Sequence, residues 1–146
     1  MRDCTHHLTN AATDLFPQKQ RAQALVEEAP GEAKVHFGGP DGIPQGIVIS
    51  ELSTDQREHA QKVLEALLEP YRATDKDEVY KCLKAQGGLE KCRLAFYKSG
   101  DLGNDGEWDN WRLEGPSFVW NYRGTPHVHV WVNVADDPSV KITAKG

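Results

Sequence analysis

The chain has 146 residues, enough for one domain with a real core, and its 38% hydrophobic and 27% charged residues mark a folded protein, not a disordered one. Its formal net charge is −5 and no Lys/Arg cluster runs along a predicted face, so the basic footprint of a nucleic-acid binder is missing. No run approaches the roughly 18 apolar residues of a membrane span. Met1-Arg2-Asp3-Cys4-Thr5-His6-His7 lacks the apolar stretch of a signal peptide, which places a complete chain in the cytoplasm; the expectation lapses if the chain is a piece of a longer product.

From the N-terminus, Leu8, Ala11, Ala12, Leu15 and Phe16 make one helical stripe. Pro17 breaks or restarts the helix, and Ala22, Leu25, Val26 and Ala29 form a second stripe closed by Pro30-Gly31. Residues 37–46 are dense in turn formers and read as a surface loop. Ile47-Val48-Ile49 reads as a short strand or an extended lead-in. Ser53 and Gln56 have the spacing of a capping box for a helix ending before Pro70, with Ala60, Val63, Leu64, Leu67 and Leu68 as its stripe. A further helix from about Thr74 to Gly87-Gly88 uses Val79, Tyr80 and Leu83. Cys82 and Cys92 bracket the turn after it. They read as buried, reduced thiols, with a disulfide as the alternative in an oxidising compartment. With Cys4 they match no zinc spacing.

From Lys91 onward the apolar period becomes two, predicting strands at 91–98, 107–114, 117–123 and 127–134. Helices first and strands afterwards give an α+β fold, its N-terminal helices packed on one face of a C-terminal antiparallel sheet. The expected organisation is one domain, helical over 5–88, with strands over 91–134 and a tail over 135–146. Taking Gly115-Pro116 as a two-residue connection pairs Glu114 with Ser117, Arg112 with Val119 and Asn110 with Asn121. The opposite face then pairs Leu113 with Phe118 and Trp111 with Trp120. Taking 124–126 as a three-residue loop sets Arg123 opposite His127 and Asn121 opposite His129. Val128, Val130, Val132 and Val134 then enter the core, while His127, His129, Trp131 and Asn133 join the polar face; a slip of one residue would reverse every one of them.

These motifs carry a resemblance. Trp111-Arg112-Leu113-Glu114-Gly115-Pro116, followed by a strand and then His127-Val128-His129, resembles the C-terminal signature of the family known as domain of unknown function 3500. Gln20-Arg21, Gly46-Ile47-Val48, Leu52-Ser53-Thr54-Asp55-Gln56-Arg57 and Leu94-Ala95-Phe96 extend the likeness over about 15–137. The resemblance implies a C-terminal half, since family members are more than twice as long, and an extracytoplasmic setting, since members commonly carry export signals. It also implies that Asn121 stands where many members carry Glu, so that a third metal ligand beside the two histidines is lost. It implies no reaction or substrate.

The candidate site follows from the strand faces. His127 and His129, at i and i+2, point the same way, and neutral imidazoles are good donors to zinc or copper. Third ligands would come from His36, His59, His6, His7, Glu114 or Glu107. The alternative is that both rings bond within the polar face beside Arg123 and Asn121. Arg112 and Arg123 have the chemistry to hold a carboxylate or phosphate, or else pair with Glu114 or Asp109. Trp131, with Trp108, offers a stacking surface or packs under a loop. Three functions remain open on the same residues: a His-x-His metal or small-ligand site including Arg112, Glu114, Asn121, Arg123 and Trp131; a metal-dependent hydrolase or copper-type oxidase; and a structural domain that docks against a missing N-terminal half or a second copy.

Overall fold

A computed structural model describes residues 17–31, 35–42, 45–101, 108–124 and 126–142. The stripe at 8–16, Cys4, His6, His7 and Glu107 lie outside the described residues. In chain order the elements are α1 (Gln18–Ala24), β1 (Leu25–Val26), β2 (Ile47–Val48), a 3-10 turn (Ile49–Glu51), α2 (Thr54–Leu68) and α3 (Ala73–Ala85). A second 3-10 turn (Leu89–Lys91) leads into β3 (Arg93–Tyr97), β4 (Asn110–Gly115), β5 (Phe118–Arg123) and β6 (His129–Val134). This is an α+β fold with its helices ahead of the main strands. No helix among the described residues is long and apolar enough to cross a membrane.

Local chemistry explains the helices. The Ser53 hydroxyl accepts from the Gln56 amide at 3.3 Å, and the Gln56 side chain accepts from the Ser53 amide at 2.9 Å, the reciprocal cap expected from their spacing. α2 then buries Val63, Leu64 and Leu68, and α3 buries Cys82 and Leu83. α3 stops where Gly87 and Gly88 take φ of 107° and 81°, a backbone that β-carbons oppose.

The first correction concerns the stripe at 22–29. The helix ends at Ala24, and Leu25 and Val26 become β1, running parallel to Phe96 and Tyr97 of β3. Backbone bonds from Lys98 to Val26 (2.9 Å) and from Ser99 to Glu27 (3.0 Å) continue the pairing. These long-range bonds outcompete a last helical turn, which no local pattern reveals. β2 runs antiparallel to the other half of the same β3 edge, with Ile47 opposite Leu94. The sheet is therefore mixed, with six strands in the order β1-β3-β4-β5-β6 and β2 also on β3.

β4, β5 and β6 form the expected antiparallel meander, but both predicted registers are off by two residues. Arg112 stands opposite Asn121, Leu113 opposite Trp120 and Trp111 opposite Tyr122. Arg123 stands opposite His129 and Asn121 opposite Trp131. The turn is Pro116-Ser117, with Gly115 kept in β4 opposite Phe118. Close approach explains this: a Cβ on Gly115 would lie 2.6 Å from the Gln86 side-chain oxygen and 3.0 Å from the Cys92 sulfur. Ser117 is fixed by a bond from its amide to Gln86 (2.9 Å) and from its hydroxyl to Ala135 (2.7 Å). A shift of two preserves the faces, so the division into an aromatic and a polar face holds.

The core fills the space between the helices and the aromatic face. It joins Leu64, Leu68 and Leu83 to Phe96, Trp111, Leu113, Phe118, Trp120 and Tyr122. Trp111 stacks on Tyr122 at 5.4 Å and meets Trp120 at 5.9 Å. Two further corrections arise here. Trp108 joins this side against Phe96 (5.5 Å), not the polar face, because β4 begins only at Asn110. The four valines are not buried either. Val132 and Val134 are half-buried against the core, while Val128 and Val130 are 61% and 40% exposed, because β6 is the last strand of the sheet and nothing in the described chain lies beyond them.

Candidate functional site

The polar face is a grid of cross-strand rows. One row is Arg93–Glu114–Val119–Asn133, the next Ala95–Arg112–Asn121–Trp131, and the third Tyr97–Asn110–Arg123–His129. The candidate residues Arg112, Glu114, Asn121, Arg123, His129 and Trp131 therefore do share one side of the sheet. His127 precedes β6 and is exposed, with its ring 4.5 Å from that of His129.

Hydrogen bonds divide this face into two groups. Arg112 donates from Nε to Asn121 at 2.9 Å and from Nη1 to Glu114 at 3.0 Å. Arg112 is only 4% exposed, so the ion pair is largely dry and its geometry matters. The pairing with Glu114 is one of the two alternatives that the strand faces left open, realised inside the fold instead of on its surface. In the second group an Arg123 guanidinium nitrogen lies 2.7 Å from Nδ1 of His129.

Both arrangements bear on metal binding. The Asn121 oxygen and the His129 Nδ1 lone pair, two atoms that would face a metal, each meet an arginine, and fixed guanidinium charges oppose a divalent cation. Among the described residues no group of three or more His, Cys, Asp or Glu side chains converges as a metal site. His36 and His59, the described histidines named as further ligands, belong to no such group.

A cavity of about 340 Å³ opens on this face, over β3 and β4 and away from the histidines. Arg93, Ala95 and Tyr97 of β3 and Arg112 and Glu114 of β4 form its floor, and Glu28, Ala29, Pro30 and Gln45 its walls. The wall is held in place by side-chain bonds that continue the pairing of β1 with the end of β3. The Ala29 amide donates to the Ser99 hydroxyl at 2.7 Å, and Lys98 pairs with Glu27. At the other side Gly46 takes φ of 101° with its Cα too close to the Leu94 carbonyl for a side chain, a Cβ there falling 2.5 Å from the oxygen. Its own carbonyl accepts from Arg93 at 3.2 Å.

Two properties set this cavity apart. Arg112 Nη2 is buried without a hydrogen-bond partner, and a charged donor left so costs roughly 1–3 kcal/mol or more. The indole nitrogens of Trp111, Trp120 and Trp131 are also unpartnered, but they are neutral and desolvate more cheaply. Burial also pushes the Tyr97 phenol up to about 12, with Arg112 opposing the shift, so its hydroxyl stays protonated and able to donate. Larger depressions of about 630 and 540 Å³ lie against α2–α3 and α3–β6, and no unpartnered buried polar atom lines either.

Sequence reasoning reached Arg112 and Glu114 but missed Arg93, Tyr97 and the 28–30 wall. The alternation of Arg93, Ala95 and Tyr97 was visible in β3. Their pairing with Glu114, Arg112 and Asn110 spans a long connection, and its register is unreadable from the chain. Comparison with protein-family models, curated proteins and solved structures finds no match to this chain. The resemblance to the family of domain of unknown function 3500 therefore stands on its motifs alone.

Proposed function

We propose that this chain is a small-molecule-binding domain whose site is the cavity over the polar face of β3 and β4. The observation that carries this reading is Arg112: a guanidinium 4% exposed, positioned by Asn121 and Glu114, with one buried nitrogen lacking an acceptor, on a residue that lines a cavity. A few convergent polar groups in a concave site of a few hundred cubic ångströms is the usual form of a small-ligand pocket. His127 and His129 lie outside it and take no part in the proposal.

Native mass spectrometry of protein purified without a histidine tag tests the reading. The expected result is a bound small molecule that disappears in Ala95→Leu, because the larger side chain grows from the cavity floor. A wild-type spectrum without adduct after incubation with a metabolite extract, or an adduct retained by Ala95→Leu, defeats it. Elemental analysis of the same sample decides the metal alternative: stoichiometric zinc or copper would return the site to His127 and His129.

A further inference from the structure

We propose that the ligand of the β3–β4 cavity is a small monocarboxylate, with Arg112 and Arg93 as its anion-binding groups and Tyr97 as a donor to its second polar atom. The proposal rests on the reading of the chain as a binding domain and adds the chemical class.

Charge balance is the first argument. Glu114 already neutralises Arg112 at 3.0 Å. Arg93 takes part in no ion pair among the described residues and gives one bond to the Gly46 carbonyl. The lining as a whole is formally neutral, Arg93 and Arg112 against Glu114 and Glu28, but Arg93 is left without a carboxylate in contact. A single carboxylate matches it, whereas a phosphate dianion would set its second charge beside Glu114 and the rim residue Glu28.

Donor geometry is the second. Arg112 Nη2 can only donate, and it is the one nitrogen of that guanidinium without a protein acceptor. A carboxylate oxygen supplies what is absent, as a charge-assisted bond in a dry setting. Amides and sugars present neutral acceptors and leave Arg93 unmatched.

Shape is the third. Ala95, Ala29 and Pro30 give the cavity a short apolar wall, and at about 340 Å³ it sits at the small end for ligand sites. Beside that wall the Tyr97 hydroxyl stays un-ionised and donates. A short hydroxy or keto acid satisfies all of these groups at once.

Titration calorimetry on the whole chain, with glycolate, lactate and pyruvate as probes, tests the assignment. At least one acid should bind, and the matched neutral amide should bind ~10-fold or more weaker. Arg112→Gln should abolish binding. Because that buried substitution risks the fold, Arg93→Gln on a half-buried side chain serves as second variant and should weaken the acid by ~10-fold with an unchanged circular dichroism spectrum. An amide that binds as tightly as its acid, inorganic phosphate that binds tighter than every acid, or an unaffected Arg93→Gln each overturns the proposal. So does the absence of heat with all three acids. In any of these cases a native mass adduct lost in Ala95→Leu preserves the binding-domain reading, and the absence of that adduct ends both.

Discussion

Each face of the central sheet has a buried centre, and the two centres are held together in opposite ways. On one, Phe96, Trp111, Leu113 and Trp120 pack under the helices, with no more than 6% of any of them exposed. On the other, Ala95, Tyr97, Arg112 and Asn121 are buried to the same degree, none more than 8% exposed. The aromatic face gains from contact that is non-directional and roughly proportional to area. The polar face gains only where each donor finds its acceptor, and loses wherever one does not. A packed face can be finished by shape alone. A polar face must also match each donor with an acceptor, and here Arg112 Nη2 has none.

The largest expected effect tests the packed side. Trp120→Ala removes a side chain 1% exposed at the centre of the aromatic face, and should cost ~3–5 kcal/mol in urea denaturation. A loss below ~1 kcal/mol would mean that the aromatic face is loosely packed and the contrast between faces is false.

On the polar side, Arg112→Met keeps the stem but strips Asn121 and Glu114 of their donor. Stability should fall by ~1–3 kcal/mol, and Asn121→Leu in the same chain should recover part of it, since an apolar pair leaves fewer orphaned groups. Purely additive losses in the double variant would show that the Arg112–Asn121 bond carries no coupling.

The smallest effect sharpens the claim that both centres are buried. Burial pushes the Tyr97 phenol from 10.0 up to about 12 on the polar side, and the Cys92 thiol from 9.0 up to about 12 on the core side. In both, folding favours the protonated form. Their contribution to stability is complete below pH 9 and disappears as pH rises towards about 12. Urea midpoints should be flat at neutral pH and decline along this alkaline limb. Ultraviolet difference spectra should show two tyrosines ionising later than an ordinary phenol, Tyr97 shifted most and Tyr80 raised by burial and Glu65. Titration of every tyrosine near 10.0, the ordinary value for Tyr97, would show water on the polar face.

Much of the fold is written locally. The Ser53–Gln56 cap, the Gly87-Gly88 stop and the alternation of β4, β5 and β6 depend on neighbours a few residues away, and each stands where the chain places it. The same alternation put Arg112, Asn121, Arg123, His129 and Trp131 on one face, because parity survives a register shift of two. Composition and period likewise determined the α+β class. Tertiary structure alone decided the rest. The Gly115 approach to Gln86 and Cys92 moved the turn to Pro116-Ser117, and the β3 edge took Leu25 and Val26 out of a helix. It also closed residues 28–30 over β3 to make a cavity. Each of these choices joins residues distant in the chain, and their energies depend on which groups meet after collapse. Local propensity carries no record of that.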